Sequence, residues 1–155
     1  MVLHPDFRDL LSALADSSAE YLVIGGWAVG VHAEPRFTQD LDIFVGTNDE
    51  NLLRVVRAFE RFGAPAHIVD ALRTLRADEF LFLGVPPARV DVLRTIPGVE
   101  FEAAYARKLR VEWDGLAADV IGRDDLLAAK RAAGREKDLR DVRAIEKAGR
   151  HNPGT

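Results

Sequence analysis

Apolar positions Phe7, Leu10, Leu11 and Leu14 recur at helical spacing and predict an amphipathic helix over residues 5–17. Tyr21 to Ile24 is a short apolar run that two glycines end, which predicts a strand, and Gly26 to about His32 predicts a helix that Pro35 breaks. Over residues 40–45 the pattern changes to alternation. Asp40, Asp42 and Phe44 share one face of the predicted strand and Leu41, Ile43 and Val45 the other. Leu52, Leu53, Val56 and Phe59 return to the 3.6-residue period and predict a helix from Glu50 to Phe62, capped by Thr47, Asn48 or Asp49 and stopped by Gly63. A short helix over 68–75 follows, then strands over 79–83 and 89–93 with Pro86-Pro87 turning between them. Asp114-Gly115 predicts a hairpin joining 110–113 to 116–121. Two helices, about 123–133 and 136–148 with Gly134 between them, precede a frayed tail from His151 to Thr155.

This order predicts an α/β (α+β) chain: a core over 1–122, helices over 123–150 packed on it, and the tail 151–155. At 155 residues, 48% hydrophobic and 30% charged, the chain can bury a real core as one unit. It has no cysteine, which excludes a disulfide framework, a thiolate zinc site and a cysteine nucleophile. No apolar run approaches the roughly 18 residues of a membrane span, and the opening MVLHPDFRDLL lacks the pattern of a secretory signal, so a cytoplasmic protein with no membrane partner is expected.

The net charge of −4 is uneven. From Leu126 onward eight Lys or Arg face four Asp or Glu, a net +4, which leaves the first 125 residues at −8. A basic segment against an acidic body suits an anionic ligand held near bound cations. The plain alternative is a solvated helix face laced with ion pairs.

Three features carry candidate chemistry: Gly25-Gly26 after a strand, Asp40 and Asp42 on the next strand, and Asp91 on a later one. Each alone has an ordinary reading as a tight turn or a solvent-facing edge. Together they differ. Alternate strand residues stand about 7 Å apart on one face, and a neighbouring strand can bring Asp91 alongside. Three convergent carboxylates repel unless protons or cations intervene, and hard oxygen donors without His or Cys select Mg²⁺ or Mn²⁺. A glycine turn at a helix N-terminus beside such metals leaves N–H groups free for phosphate oxygens. That pairing points to metal-assisted phosphoryl or nucleotidyl transfer. Asp119, flanked by Ala118 and Val120 much as Asp91 is by Val90 and Val92, is the rival third carboxylate. Trp27, Trp113 and Phe44 are core residues or base-stacking ones. The histidines His4, His32, His67 and His151 show no metal-ligand spacing, and His32 either ends a helix or lines the cleft.

The stretch Gly25-Gly26-Trp27-Ala28-Val29, followed by Arg36-Phe37-Thr38-Gln39-Asp40-Leu41-Asp42-Ile43, resembles the signature of the polymerase-β-like nucleotidyltransferase superfamily. Its R-x-T-x-D-L-D form resembles the AbiEii-type enzymes of type IV toxin–antitoxin systems, and its GGW opening is similar to antibiotic nucleotidyltransferases. The run Lys130 to Asp138 with Asp141 resembles the helix pair that follows the catalytic sheet in the same relatives. The resemblance implies a nucleotidyltransferase fold, a small mixed sheet flanked by helices with two C-terminal helices.

It also implies an enzyme moving a nucleoside monophosphate from an NTP to a hydroxyl of RNA such as tRNA, a protein or a small molecule. Asp40, Asp42 and Asp91 would hold two Mg²⁺ (or Mn²⁺) ions, with Asp91 accepting the hydroxyl proton. Gly25, Gly26, Arg36, Thr38, Lys130, Arg135 and Lys137 would bind the nucleotide. A serine common after the two glycines is replaced by Trp27, which shifts phosphate binding toward Lys and Arg. Arg36 would otherwise pair with an acid and orient the D-x-D strand. A toxin-like enzyme implies an antitoxin partner encoded beside it, an antibiotic-modifying enzyme implies a larger acidic cleft, and a non-catalytic antitoxin-like module would keep the fold without needing three repelling acids.

Overall fold

The computed structural model describes residues 2–35 and 38–151. Among these, seven helices and six strands form a mixed α/β fold. The first helix, α1 (Pro5–Asp16), buries Phe7, Leu10, Leu11 and Leu14 as its period requires, and the His4 ring accepts a hydrogen bond from the Asp6 N–H at its start. Strand β1 (Leu22–Ile24) runs straight into α2 (Gly25–His32), which begins at the first glycine, one residue earlier than its apolar pattern suggests.

Strand β2 (Asp40–Phe44) is followed by α3 (Asp49–Phe62), whose cap among the three candidates is Asn48, its Oδ1 accepting from the Asn51 N–H at 2.9 Å. Gly63 ends α3 at φ +92°, a left-handed geometry suited to glycine. Pro65 starts α4 (Ala66–Arg73) two residues earlier than expected, since its fixed φ suits a helix start. The predicted hairpin forms as β3 (Phe80–Leu83) and β4 (Arg89–Leu93).

A six-residue helix, α5 (Phe101–Ala106), was not predicted, being too short to show a period. Packing holds it: Phe101 meets Phe44 edge-on at 5.1 Å. Then come β5 (Leu109–Trp113) and β6 (Leu116–Val120), joined at Asp114-Gly115 with φ of +52° and +77°, as a two-residue hairpin turn of this kind demands. Helices α6 (Arg123–Ala133) and α7 (Glu136–His151) finish the description. His151, expected in a frayed tail, belongs to α7, and residues 152–155 of that tail lie outside the described residues.

The sheet order is β3-β4-β2-β1-β6-β5. Strand β2 lies parallel to β4 and antiparallel to β1, which in turn lies parallel to β6. One face of β2 and β4 buries Leu41, Ile43, Val90 and Val92 almost completely. The opposite face, by the alternation of strands, carries Asp40, Asp42, Arg89 and Asp91. Helix α2 packs on β1 and β2 and meets α6 and α7. Leu126, Val142 and Ile145 from these last helices join the same hydrophobic cluster as the sheet.

Candidate active site

The site begins at the junction of β1 and α2. Gly25 has φ +68°, and a Cβ added there would come within 2.0 Å of Asp42 Oδ2. Both the backbone angle and the space therefore require glycine, and Asp42 packs against the turn because no side chain keeps it away. No side chain caps the start of α2, so the N–H groups of its first turn remain unclaimed at the edge of a cleft of about 660 Å³ that Gly25 and Gly26 line. The same cleft is lined by Asp40 and Asp42 from β2 and by Lys130, Arg135, Lys137 and Arg140 from α6, α7 and the turn between them.

Strand register sets the carboxylates. Asp42 stands directly opposite Asp91, and Asp40 opposite Arg89. Burial pushes the Asp42 carboxyl up to about 7, and the charge of Asp91, a hydrogen bond with it and the charge of Asp40 push the same way, while Lys130 pulls down. Protonated Asp42 thus hydrogen-bonds to Asp91. Asp40 carries a buried Oδ1 with no hydrogen-bond partner. Asp91, 8% exposed, is held by Arg89, with Nη2 at 3.0 Å from Oδ1. Among the described residues no three acids or histidines already stand together as a metal-holding group.

The basic wall is organised by buried acids. Lys130 Nζ lies 3.0 Å from Asp141 and 3.4 Å from Asp138, and Arg135 Nε donates to Asp138 at 2.7 Å. Asp138 is only 1% exposed. Burial alone would raise its pKa, but hydrogen bonds and charge from Arg135 and Lys130 outweigh that and leave it below the ordinary carboxylate value.

The structure thus gathers Gly25, Gly26, Asp40, Asp42, Lys130, Arg135 and Lys137 around one cleft, with Asp91 beside Asp42. Thr38, expected at the nucleotide, instead donates its hydroxyl to the Asp40 carbonyl at 3.2 Å and secures the start of β2. Arg36 lies outside the described residues. Asp119 is elsewhere: it pairs with Arg110 at 3.2 Å, and its N–H donates to the Tyr21 hydroxyl. Trp27 packs between Phe7 and Trp113, and Phe44 against Phe101, so these aromatics serve the core. His32 ends α2, its Nε2 2.8 Å from the Ile121 carbonyl.

Two participants escaped the sequence reading. Arg89 is recognisable in hindsight as the R-x-D spacing that puts a guanidinium and a carboxylate on one strand face. The anchoring role of Asp138 depends on the α6–α7 turn, and nothing in its local sequence separates it from a surface ion-pair partner.

A mixed sheet with a glycine turn entering α2, three aspartates on one face of adjacent strands, and a basic helical wall opposite defines a polymerase-β-like nucleotidyltransferase. Residues 6–150 match the family described as "Nucleotidyltransferase of unknown function (DUF6036)", and the chain belongs to that family. Among solved structures, the fold is similar to the lincosamide antibiotic adenylyltransferase LnuA in its lincomycin-bound form. The TM-score is 0.61 at 14% identity, covering 95% of this chain and 98% of that one. An antigenic nucleotidyltransferase-like protein from Paracoccidioides brasiliensis matches at TM-score 0.45 and 14% identity, over 93% of this chain and 77% of that one. No curated protein matches.

Proposed function

We propose that the chain transfers a nucleoside monophosphate from an NTP to a hydroxyl acceptor with the help of two Mg²⁺ or Mn²⁺ ions. The observation that carries this reading is the Asp40, Asp42 and Asp91 group, with the hydrogen bond between Asp42 and Asp91 and an unpartnered buried carboxylate oxygen on Asp40. An all-oxygen donor set that must otherwise take up protons fits a hard divalent cation. Asp40 and Asp42 would hold the ions, with Asp91 completing one site. Bound there, the ions would offset phosphate charge and favour the deprotonated acceptor hydroxyl.

The chain's own residues do the rest. The N–H groups at Gly25 and Gly26 donate to phosphate oxygens at the positive end of α2, while Lys130, Arg135 and Lys137 neutralise the far side of the triphosphate. Asp91, oriented by Arg89, takes the proton of the attacking hydroxyl. The hydroxyl oxygen bonds to the α-phosphorus as the bond to the bridging oxygen breaks, and pyrophosphate leaves. Arg36, next to β2 in sequence, is a further candidate for the phosphates.

RNA, a protein side chain and a small molecule all offer hydroxyls. Incubation with each α-labelled NTP, Mg²⁺ and cell extract, followed by identification of the labelled species, tests the reading. Label transfer lost with Asp42→Asn supports it, and transfer that survives this change overturns it. A toxin-like role would add a neighbouring antitoxin gene whose product suppresses labelling.

A further inference from the structure

The edge strand β3 leaves two phenyl rings in solvent, Phe80 at 57% and Phe82 at 49% exposure. Phe82 stands opposite Asp91, and Phe80 opposite Leu93, which itself lines the cleft. The exposed rings therefore continue the floor on which the carboxylates stand. Arg89 is already stacked on Phe82, its guanidinium carbon 4.1 Å from the ring centroid. Arg89 lies beyond the last rung of the ladder, Leu83–Val90, on the side away from Phe80. Its guanidinium covers one face of the Phe82 ring, and the residue is still 49% exposed. Residues two apart on a strand are separated by roughly 7 Å, the spacing of two rings with one flat ring between them.

We infer that Phe80 and Phe82, with Arg89 behind, form a subsite for a small acceptor whose hydroxyl is carried on a flat aromatic ring. The naming of the occupant as acceptor rests on the proposed nucleotidyl transfer; the ring-binding itself does not. Register with Asp91 would present a hydroxyl at the edge of such a ring to the carboxylate that takes its proton. Charge selects against a nucleic acid strand: exposed Asp78 and Glu79 precede Phe80, and the first 125 residues carry a net −8. A neutral or cationic ring compound suits this surface.

Tyramine, a flat cationic ring with a hydroxyl, is the probe, and trans-4-aminocyclohexanol is its puckered counterpart. Affinities are read by ligand-observed NMR, with single-stranded pentaadenylate as a third arm. Tyramine should bind the parent protein, and Phe82→Ala should weaken it about tenfold, the scale of a lost ring stack. Phe80→Ala should weaken it less, with melting temperatures near the parent's because both rings are exposed. NTP affinity should be unchanged in both variants. Equal tyramine binding in Phe82→Ala, equal binding of the puckered ring, or Phe82-dependent binding of pentaadenylate tighter than of tyramine would each overturn the inference. So would a Phe82→Ala variant that loses NTP affinity, which assigns the rings to the donor, or one that turns a dimer into a monomer, which assigns them to self-association. If the parent binds no NTP yet holds tyramine through Phe82, the transfer reading fails and the ring subsite stands.

Discussion

Two strands carry nearly the same local arrangement with opposite outcomes. On β4, Asp91 is flanked by valines, buried to 8% exposure and paired with Arg89 at 3.0 Å. On β6, Asp119 is flanked by Ala118 and Val120, buried to 6% and paired with Arg110 of β5 at 3.2 Å. The difference lies across the sheet. Asp91 faces another carboxylate, Asp42, and its charge and hydrogen bond help to raise that group's pKa. Asp119 faces an arginine, and its N–H bonds to Tyr21, whose own pKa burial raises to about 12. One arginine–aspartate pair completes an acidic cluster and the other closes a structural contact, so the strand opposite, rather than the flanking residues, decides what a buried acid does.

Kinetics separates the two aspartates most widely. Asp91→Asn should reduce label transfer by about 100-fold or more, the scale of a lost proton acceptor, while sparing much of the NTP binding. Asp119→Asn should leave transfer within a few-fold and cost about 1 kcal/mol in urea unfolding, because Arg110 is exposed and remains hydrated. The reverse pattern would move the third carboxylate to β6.

The next effect separates the clusters by pH. An acid whose folded pKa stands at about 7 against an ordinary 3.8 binds its proton more tightly when folded. Metal-free stability from Asp42 is therefore fully present below about pH 4 and lost as the pH rises through 7. Asp42→Asn should remove this dependence and stabilise the metal-free protein by about 3 kcal/mol at pH 8 and little at pH 4. Chelator-treated protein unfolded in urea at both values measures it, and parallel pH profiles for parent and variant would refute the raised Asp42 pKa.

Gly25→Ala comes next, at about 2 kcal/mol of destabilisation in thermal melting, since it forces a left-handed backbone and displaces Asp42. Gly115→Ala, also at positive φ but with open space around its Cβ, should cost less. Equal losses would mean that the turn at Asp42 is no tighter than an ordinary hairpin. The smallest effect is at the basic wall: Lys130→Ala should raise the NTP dissociation constant several-fold at low salt and less at high salt. An unchanged constant would leave phosphate recognition to the glycine turn and Arg36.

Most elements were legible because each shows its period or its stop signal: the apolar rows of α1 and α3, alternation in β2, Gly63, and the Asp114-Gly115 turn. The glycine turn and the D-x-D strand were legible for the same local reason. Asp91 against Asp119 was not, since equal flanks hide which strand each one pairs with, a contact between residues 49 apart in one case. Thr38 entered only through the resemblance, and its hydroxyl donates to the Asp40 carbonyl, a backbone contact that its sequence neighbours do not announce. Helix α5 offers only six residues and owes its place to Phe44.

An empty cleft with carboxylates on its floor and a long, flexible ammonium, that of Lys130, on its wall invites the two to meet and latch the entrance shut. Asp138 and Asp141 tether that ammonium to its own wall. That pairing keeps the ammonium from bridging the cleft, so the carboxylate floor and the basic wall remain separate surfaces.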